Sequence, residues 1–362
     1  MHSHHSHSGE FCRHAKSTLD EVVARAAQLG FTHFHLSEHT PREFTEQLYP
    51  EEKEAALSPS KLEEAFCAYL AKARSIQTRY ASASRPMHIL VGCETENISS
   101  PQSVDFLHKV LTPEISGSSN LPPTCVGIGV IDYMVGSVHH AHGIPIDFDA
   151  ETFGKALASG ARAEEQGYAS LLDAYLDAQL EVMDRLRPEV IGHFDLYRLF
   201  EPYGPWLSSA AGPTLQRKLE RNIRFAASYG ALFEANSAAF RKGWEGETYP
   251  GRDILRLIRS MHGRIALSDD SHGVQQIALN YRRLRDYLMA EGVDEIWYLE
   301  RIPAGTKEPT ALWQEYTESE ISRKEREASQ SPGKDAPCTF ARGTRAVCLP
   351  DWSSASFWST LP

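Results

Sequence analysis

The 362-residue chain, 41% hydrophobic and 10% aromatic, can bury the core of one large domain or two ordinary ones. Its net charge of -11, from 37 basic against 48 acidic residues, argues against a non-specific nucleic-acid binder but leaves room for a small anionic ligand, because a local field can oppose the global sign. No apolar run approaches the roughly 18 residues of a membrane span, no signal-peptide core opens the chain, and the six scattered cysteines form no C-x-x-C pair, so free thiols and a cytoplasmic location are expected.

The chain opens MHSHHSHSGEFCRHA, with five histidines in fifteen residues. A purification tag is usually an unbroken run with a linker, whereas this stretch flows straight into a structured segment. STLDEVVARAAQLG predicts a helix, with a capping box of Thr18 and Glu21, an apolar stripe from Leu19 to Ala27, and Gly30 as its stop. FTHFHLSEH follows as a short strand. The same grammar recurs. KLEEAFCAYLAKARSIQTRY leads to HILVGCETE, DYMVGSVHH is strand-like, and YASLLDAYLDAQLEVMDRLRP leads to EVIGHFD. TLQRKLERNIRFAASYG then leads to ALFEANS, and GRDILRLIRSMHG to RIALSDDSH. Strands alternating with helices indicate a parallel sheet, layered or closed into a barrel. REFTEQLYPEEKEAALSPS, TPEISGSSNLPPTC and EPYGPWLSSAAGPT read as loop insertions. Residues 1–301 are expected to form the domain, and 302–362, with little periodicity, a poorly ordered tail.

Five strand ends, LSEH, VGCE, GSVH, IGHFD and LSDDSH, run from apolar residues into His, Asp or Glu. A barrel of parallel strands gathers such ends into one cup. His5 and His7, two apart in extended chain, point to the same side and can join them.

Taken in order, HSHSGEFCRHA, SEHTPR, GCETENI, GSVHH, GHFD and DDSHG resemble the polymerase-and-histidinol-phosphatase (PHP) superfamily over roughly residues 2 to 300, and DYMVGSVHHAHGIPIDFD is similar to its fungal histidinol-phosphate phosphatases. The resemblance implies an α/β fold, a distorted (β/α)7 TIM-like barrel with loop insertions, holding three divalent metal ions, zinc, iron or manganese. Carried over by motif, His5, His7, Glu94 and Asp270 would hold the first ion, and Glu94 would bridge to a second held by His139 and His193. His14, His39 and His272 would hold the third. Glu96 competes with Glu94 for the bridge, since both lie on one face of an extended ETE.

Arg198 and Arg241 match positions of phosphate-binding arginines, and Arg42 is a weaker candidate; a guanidinium offers a planar fork to phosphate oxygens. No Walker or Rossmann phosphate loop is present. The parts imply hydrolysis of a phosphomonoester by metal-activated water, with Glu94 at the metals and Asp195, His193 or metal-bound water serving the leaving group, and the resemblance implies that the ester is L-histidinol phosphate. No nucleic-acid or membrane partner is expected, and the oligomeric state is not readable. A nucleotidase or exonuclease-like phosphoesterase and a non-catalytic metal-binding domain are the alternatives. His33 and His35 are expected to pack within a strand, His140 and His142 to line the rim, and His2, His4, His88, His108 and His262 to lie on the surface.

Overall fold

The computed structural model describes residues 1–98, 102–111, 131–160, 164–208, 210–303 and 338–361. In chain order its strands are β1 (His2–Ser3), β2 (His33–Phe34), β3 (Gly92–Glu94), β4 (Tyr133–Gly136), β5 (His140–Ala141), β6 (Ile144–Pro145), β7 (Val190–Ile191), β8 (Leu232–Asn236), β9 (Arg264–Ser268), β10 (Glu295–Arg301) and β11 (Thr344–Pro350). The fold is α/β with a parallel sheet, ordered β3-β4-β7-β8-β9. β1 and β2 pair in parallel beside it. Parallel bridges His33↔His88, Leu36↔Val91 and His39↔Glu94 continue from β2 toward β3, and Ser6↔Ser271 joins the ends of β1 and β9.

Helices connect these strands where the apolar periodicity places them. The first, α1 (Leu19–Leu29), carries the expected Thr18–Glu21 capping box and stops at Gly30, whose φ of 87° favours glycine. Strand alternation then divides the core in two. Phe233, Ala235, Ile265 and Leu267 pack into the large cluster with the helices. Leu90, Tyr133, Val135, Val190, Leu232, Ala266 and Leu299 form a second cluster on the other face.

That second face is where the expected poorly ordered tail needs correction. Residues 304–337 lie outside the described residues, but β11 pairs antiparallel with β10 along seven positions, Glu295↔Pro350 to Arg301↔Thr344. Phe340 and Ala346 join the second cluster, while Trp352, Phe357 and Trp358 are buried in the first. A parallel sheet needs both faces covered, and these residues supply part of the cover. Cys67 is disulfide-bonded, against the expectation of free thiols; Cys12, Cys93 and Cys348 are free thiols. No helix among the described residues is long and apolar enough to cross a membrane.

Candidate active site

The strand ends converge. Glu94, at the end of β3, lies 3.1 Å from His5 Nε2 and His193 Nε2, 3.2 Å from His39 Nδ1 and His139 Nε2, and 3.3 Å from His7 Nε2. Asp270 Oδ1 sits 3.6 Å from both His5 and His7 and 3.5 Å from His272 Nδ1. Its φ of 46° places Asp270 in the left-handed region, where a short polar residue is tolerated. Glycine matters at position 192, beside His193: a Cβ there would lie 2.3 Å from Ser137 Oγ, so its absence lets the ends of β7 and β4 approach. His139 Nε2 and His193 Nε2 then face one another at 3.3 Å.

These imidazoles are arranged for something other than each other. His5 Nε2, both ring nitrogens of His7 and of His39, and Nδ1 of His139 and His193 are buried without a hydrogen-bond partner, although carboxylates stand at ion-pair distance from most of them. Neutral nitrogen and carboxylate donors turned toward shared space fit divalent cations. Among the described residues, three groups have ligand atoms within 4.8 Å of one another: His5, Glu94 and His193; His5, His7 and Asp270; and His7, Cys12, His39 and His272.

The electrostatics follow from burial opposed by carboxylates. Burial pushes the His5 imidazole down, but Glu94, Glu234 and Asp270 outweigh it and hold it well above its ordinary value. At His7 the same contest, with Glu38 and Glu94, ends at about 9. Burial and the neighbouring His7 win at His39, which falls to about 4. Glu94 is pulled well below the carboxylate range by His5, His139 and His39, against its burial.

Several expected site residues make other contacts. His14 lines the pocket, its ring 4.9 Å from that of His272 and 5.3 Å from that of His39; its Nδ1 pairs with Glu51 at 2.9 Å, its Nε2 lies 3.2 Å from Cys12 Sγ, and Cys12 Sγ joins His7, His39 and His272 in the third donor group. Glu96 meets His39 at 3.2 Å and His139 at 3.1 Å but not His5, His7 or His193, which leaves Glu94 as the hub. Asp195 is fully buried, accepts from the Gly251 N–H at 2.8 Å, and is pushed up to about 6 by that burial. It is not part of the pocket wall.

Arg198 donates to Pro202 O from Nε and Nη2 and to Asp253 and Asp195 from Nη1. Arg42 is buried against Glu52 and Thr40 O, with its guanidinium over the Tyr49 ring. Neither lines the pocket, so the expected phosphate grip disagrees with both placements: buried guanidinium groups need carboxylate and carbonyl partners, and these have found them inside the chain. Arg241 does line it, its head fixed by Nη1 on Asp269 O and Nη2 on Asp270 O.

The pocket above Glu94 has a volume of about 340 Å³ and is walled by His39, His139, His193 and His272, with Arg241 and Lys242 also present. The sequence reading missed the residues that hold the imidazoles. Glu234 accepts from His5 Nδ1 at 2.8 Å, and Glu38 stands 3.5 Å from His7 Nδ1, each fixing a ring's orientation. A carboxylate inside the apolar strand LFEAN was the available signal for Glu234. His2, His4 and His108, expected on the surface, are buried; His2 Nε2 accepts from Leu267 N and His4 Nε2 from Leu299 N.

Comparison with known proteins agrees with the motifs. The PHP domain model matches residues 3–238. "Probable histidinol-phosphatase" of Schizosaccharomyces pombe is 41% identical over 303 residues, covering 84% of this chain and 90% of that protein. "Histidinol-phosphatase" of Saccharomyces cerevisiae is 33% identical over 328 residues, covering 83% and 92%. A crystal structure from Listeria monocytogenes, provisionally assigned as a histidinol phosphatase, aligns with a TM-score of 0.61 at 23% identity over 78% of this chain and 99% of its own, which speaks for the fold alone. The chain belongs to the PHP domain family.

Proposed function

We propose that the chain is a metal-dependent phosphomonoesterase that hydrolyses L-histidinol phosphate to L-histidinol and inorganic phosphate, a step of histidine biosynthesis. The observation that carries the chemistry is Glu94, 3.1 to 3.3 Å from four buried imidazoles and the half-buried His39, beneath an open pocket with cationic side chains in its wall. The substrate is taken from the names of the two fungal relatives.

Three divalent ions, of zinc, iron or manganese, are the proposed cofactors. His5, His7, Glu94 and Asp270 would hold one, His139 and His193 with Glu94 a second, and His39 and His272 with His14 or Cys12 a third. When bound, they supply Lewis acidity toward phosphoryl oxygens and make water acidic enough to serve as nucleophile near neutral pH. The protein's own residues do the positioning. Glu234 and Glu38 hold His5 and His7 in orientation. Arg241, locked by two carbonyls, and Lys242, which has no ion pair among the described residues, present positive charge to the phosphoryl group. The bridge between Ser6 and Ser271 supports the further reading that the parallel strands close as a seven-membered barrel.

The test is phosphate release by metal-loaded protein from histidinol phosphate and from AMP. A clear preference for histidinol phosphate, with complementation of a histidine auxotroph lacking this phosphatase, is expected. Comparable efficiency on AMP without complementation would move the chain to a nucleotidase role.

A further inference from the structure

The hairpin that follows His139 carries two residues for which neither the metals nor the phosphate grip has a use. β5 and β6 pair antiparallel, His140↔Pro145 and Ala141↔Ile144, around a turn in which His142 and Gly143 have φ of 56° and 72°. Positive φ at both central residues is the tight hairpin turn whose twist matches that of its strands. Ile146 N donates to His139 O at 2.9 Å, and the Ile146 side chain is fully buried. The chain emerging at Asp147 and Phe148 is therefore tied directly to a strand-end histidine of the site, and both residues line the pocket.

Four carboxylates line that pocket: Glu51, Glu94, Asp147 and Asp270. Glu51 is paired with His14, and Glu94 and Asp270 with the imidazole cluster. Asp147 alone has neither hydrogen bond nor ion pair among the described residues, though it is half-buried. A half-buried carboxylate with no protein partner is open to a cationic ligand. Its charge acts on Tyr49 and His140, which stack on one another, and also on Tyr175 and Tyr249. Arg241, bonded to the backbone of Asp269 and Asp270, lines the same pocket. Lys242 shares the pocket with Asp147 without pairing to it. Beside Asp147, Phe148 leaves 50% of its surface exposed inside a concave wall.

A pocket that holds cationic side chains, an unpaired carboxylate and an adjoining aromatic face suits a substrate that carries a phosphate, a cation and a flat ring. We propose that Asp147 binds the substrate ammonium and Phe148 packs on its imidazole, making the hairpin the element that selects histidinol phosphate among phosphomonoesters. The inference rests on the proposed function and adds the residues that set its specificity.

The test uses Asp147→Asn and Phe148→Ala in the metal-loaded full chain. Phenyl phosphate lacks the ammonium and ethanolamine phosphate lacks the ring, so each serves as the control for one variant. For Asp147→Asn, KM for histidinol phosphate should rise roughly ten- to a hundredfold, while kcat/KM for phenyl phosphate changes less than about twofold. For Phe148→Ala, KM for histidinol phosphate should rise about three- to tenfold, with ethanolamine phosphate unaffected. Unchanged KM for histidinol phosphate, or equal losses on the control ester, would overturn the assignment. Wild-type protein that cleaves the simple esters but not histidinol phosphate would instead overturn the functional reading beneath it.

Discussion

At the scale of single residues, the site depends on groups that touch no substrate. Glu234 is fully buried, accepts from His5 Nδ1 and receives Asn236 Nδ2 as well. Glu234→Gln keeps the shape but loses the charge that orients and enriches the imidazole, so metal affinity should fall about 10–100-fold while the fold persists. Chelator competition measures this, and an unchanged affinity would remove Glu234 from the metal's support. The two arginines separate more sharply. Arg198 lies between Asp195 and Asp253, so Arg198→Ala strands a buried carboxylate and should cost about 3–5 kcal/mol in urea unfolding. Arg241→Lys should leave stability intact and lower turnover, because a point charge cannot reproduce the fork. The reverse pattern would restore Arg198 to phosphate binding. Glu94 and the strand-end histidines were legible because imidazole and carboxylate after an apolar run have few other uses. The fate of Arg198 was not, since a local motif does not reveal Asp253, 55 positions away.

Among the elements, β2 shows how much of the fold the alternation carried and where it fell short. The strand and its packed histidines were readable from FTHFHLSEH, but the partner on each ring nitrogen was not. His35 Nδ1 accepts from Leu90 N and its Nε2 donates to Leu299 O, which requires the neutral ring. Burial pushes its pKa down from 6.5 to about 4. The unfolded chain therefore takes up this proton first: the contribution is complete above about pH 6.5 and is lost as pH falls through about 4, amounting to about 3 kcal/mol. His35→Gln retains an acceptor and a donor but cannot titrate. In metal-free protein, urea midpoints followed from pH 7 to pH 4 should fall less steeply for the variant than for wild type; parallel curves would contradict this. The hairpin of β5 and β6 was quoted from sequence only as a family mark, because nothing local reveals that Asp147 lacks a partner.

For the whole molecule, the informative miss is the segment after residue 337. Its weak periodicity hid β11, which has no helix of its own, and hid aromatic anchors that make sense only against distant partners. Phe357 packs on Phe31 at 4.9 Å, Trp352 Nε1 donates to Val293 O, and Thr360 Oγ1 donates to Leu29 O at the end of α1. Trp352→Ala should therefore cost about 3–5 kcal/mol in global unfolding, and a variant as stable as wild type would show the segment to be dispensable. All these layers serve one arrangement, a carboxylate hub ringed by imidazoles below a charged pocket. The most direct measurement is elemental analysis with phosphate release from histidinol phosphate, on wild type, Glu94→Gln and each single histidine variant. Bound metal and activity should fall together, with Glu94→Gln losing more metal than any histidine change. Full metal content in Glu94→Gln, or full phosphate release after the metals are stripped, would contradict the account.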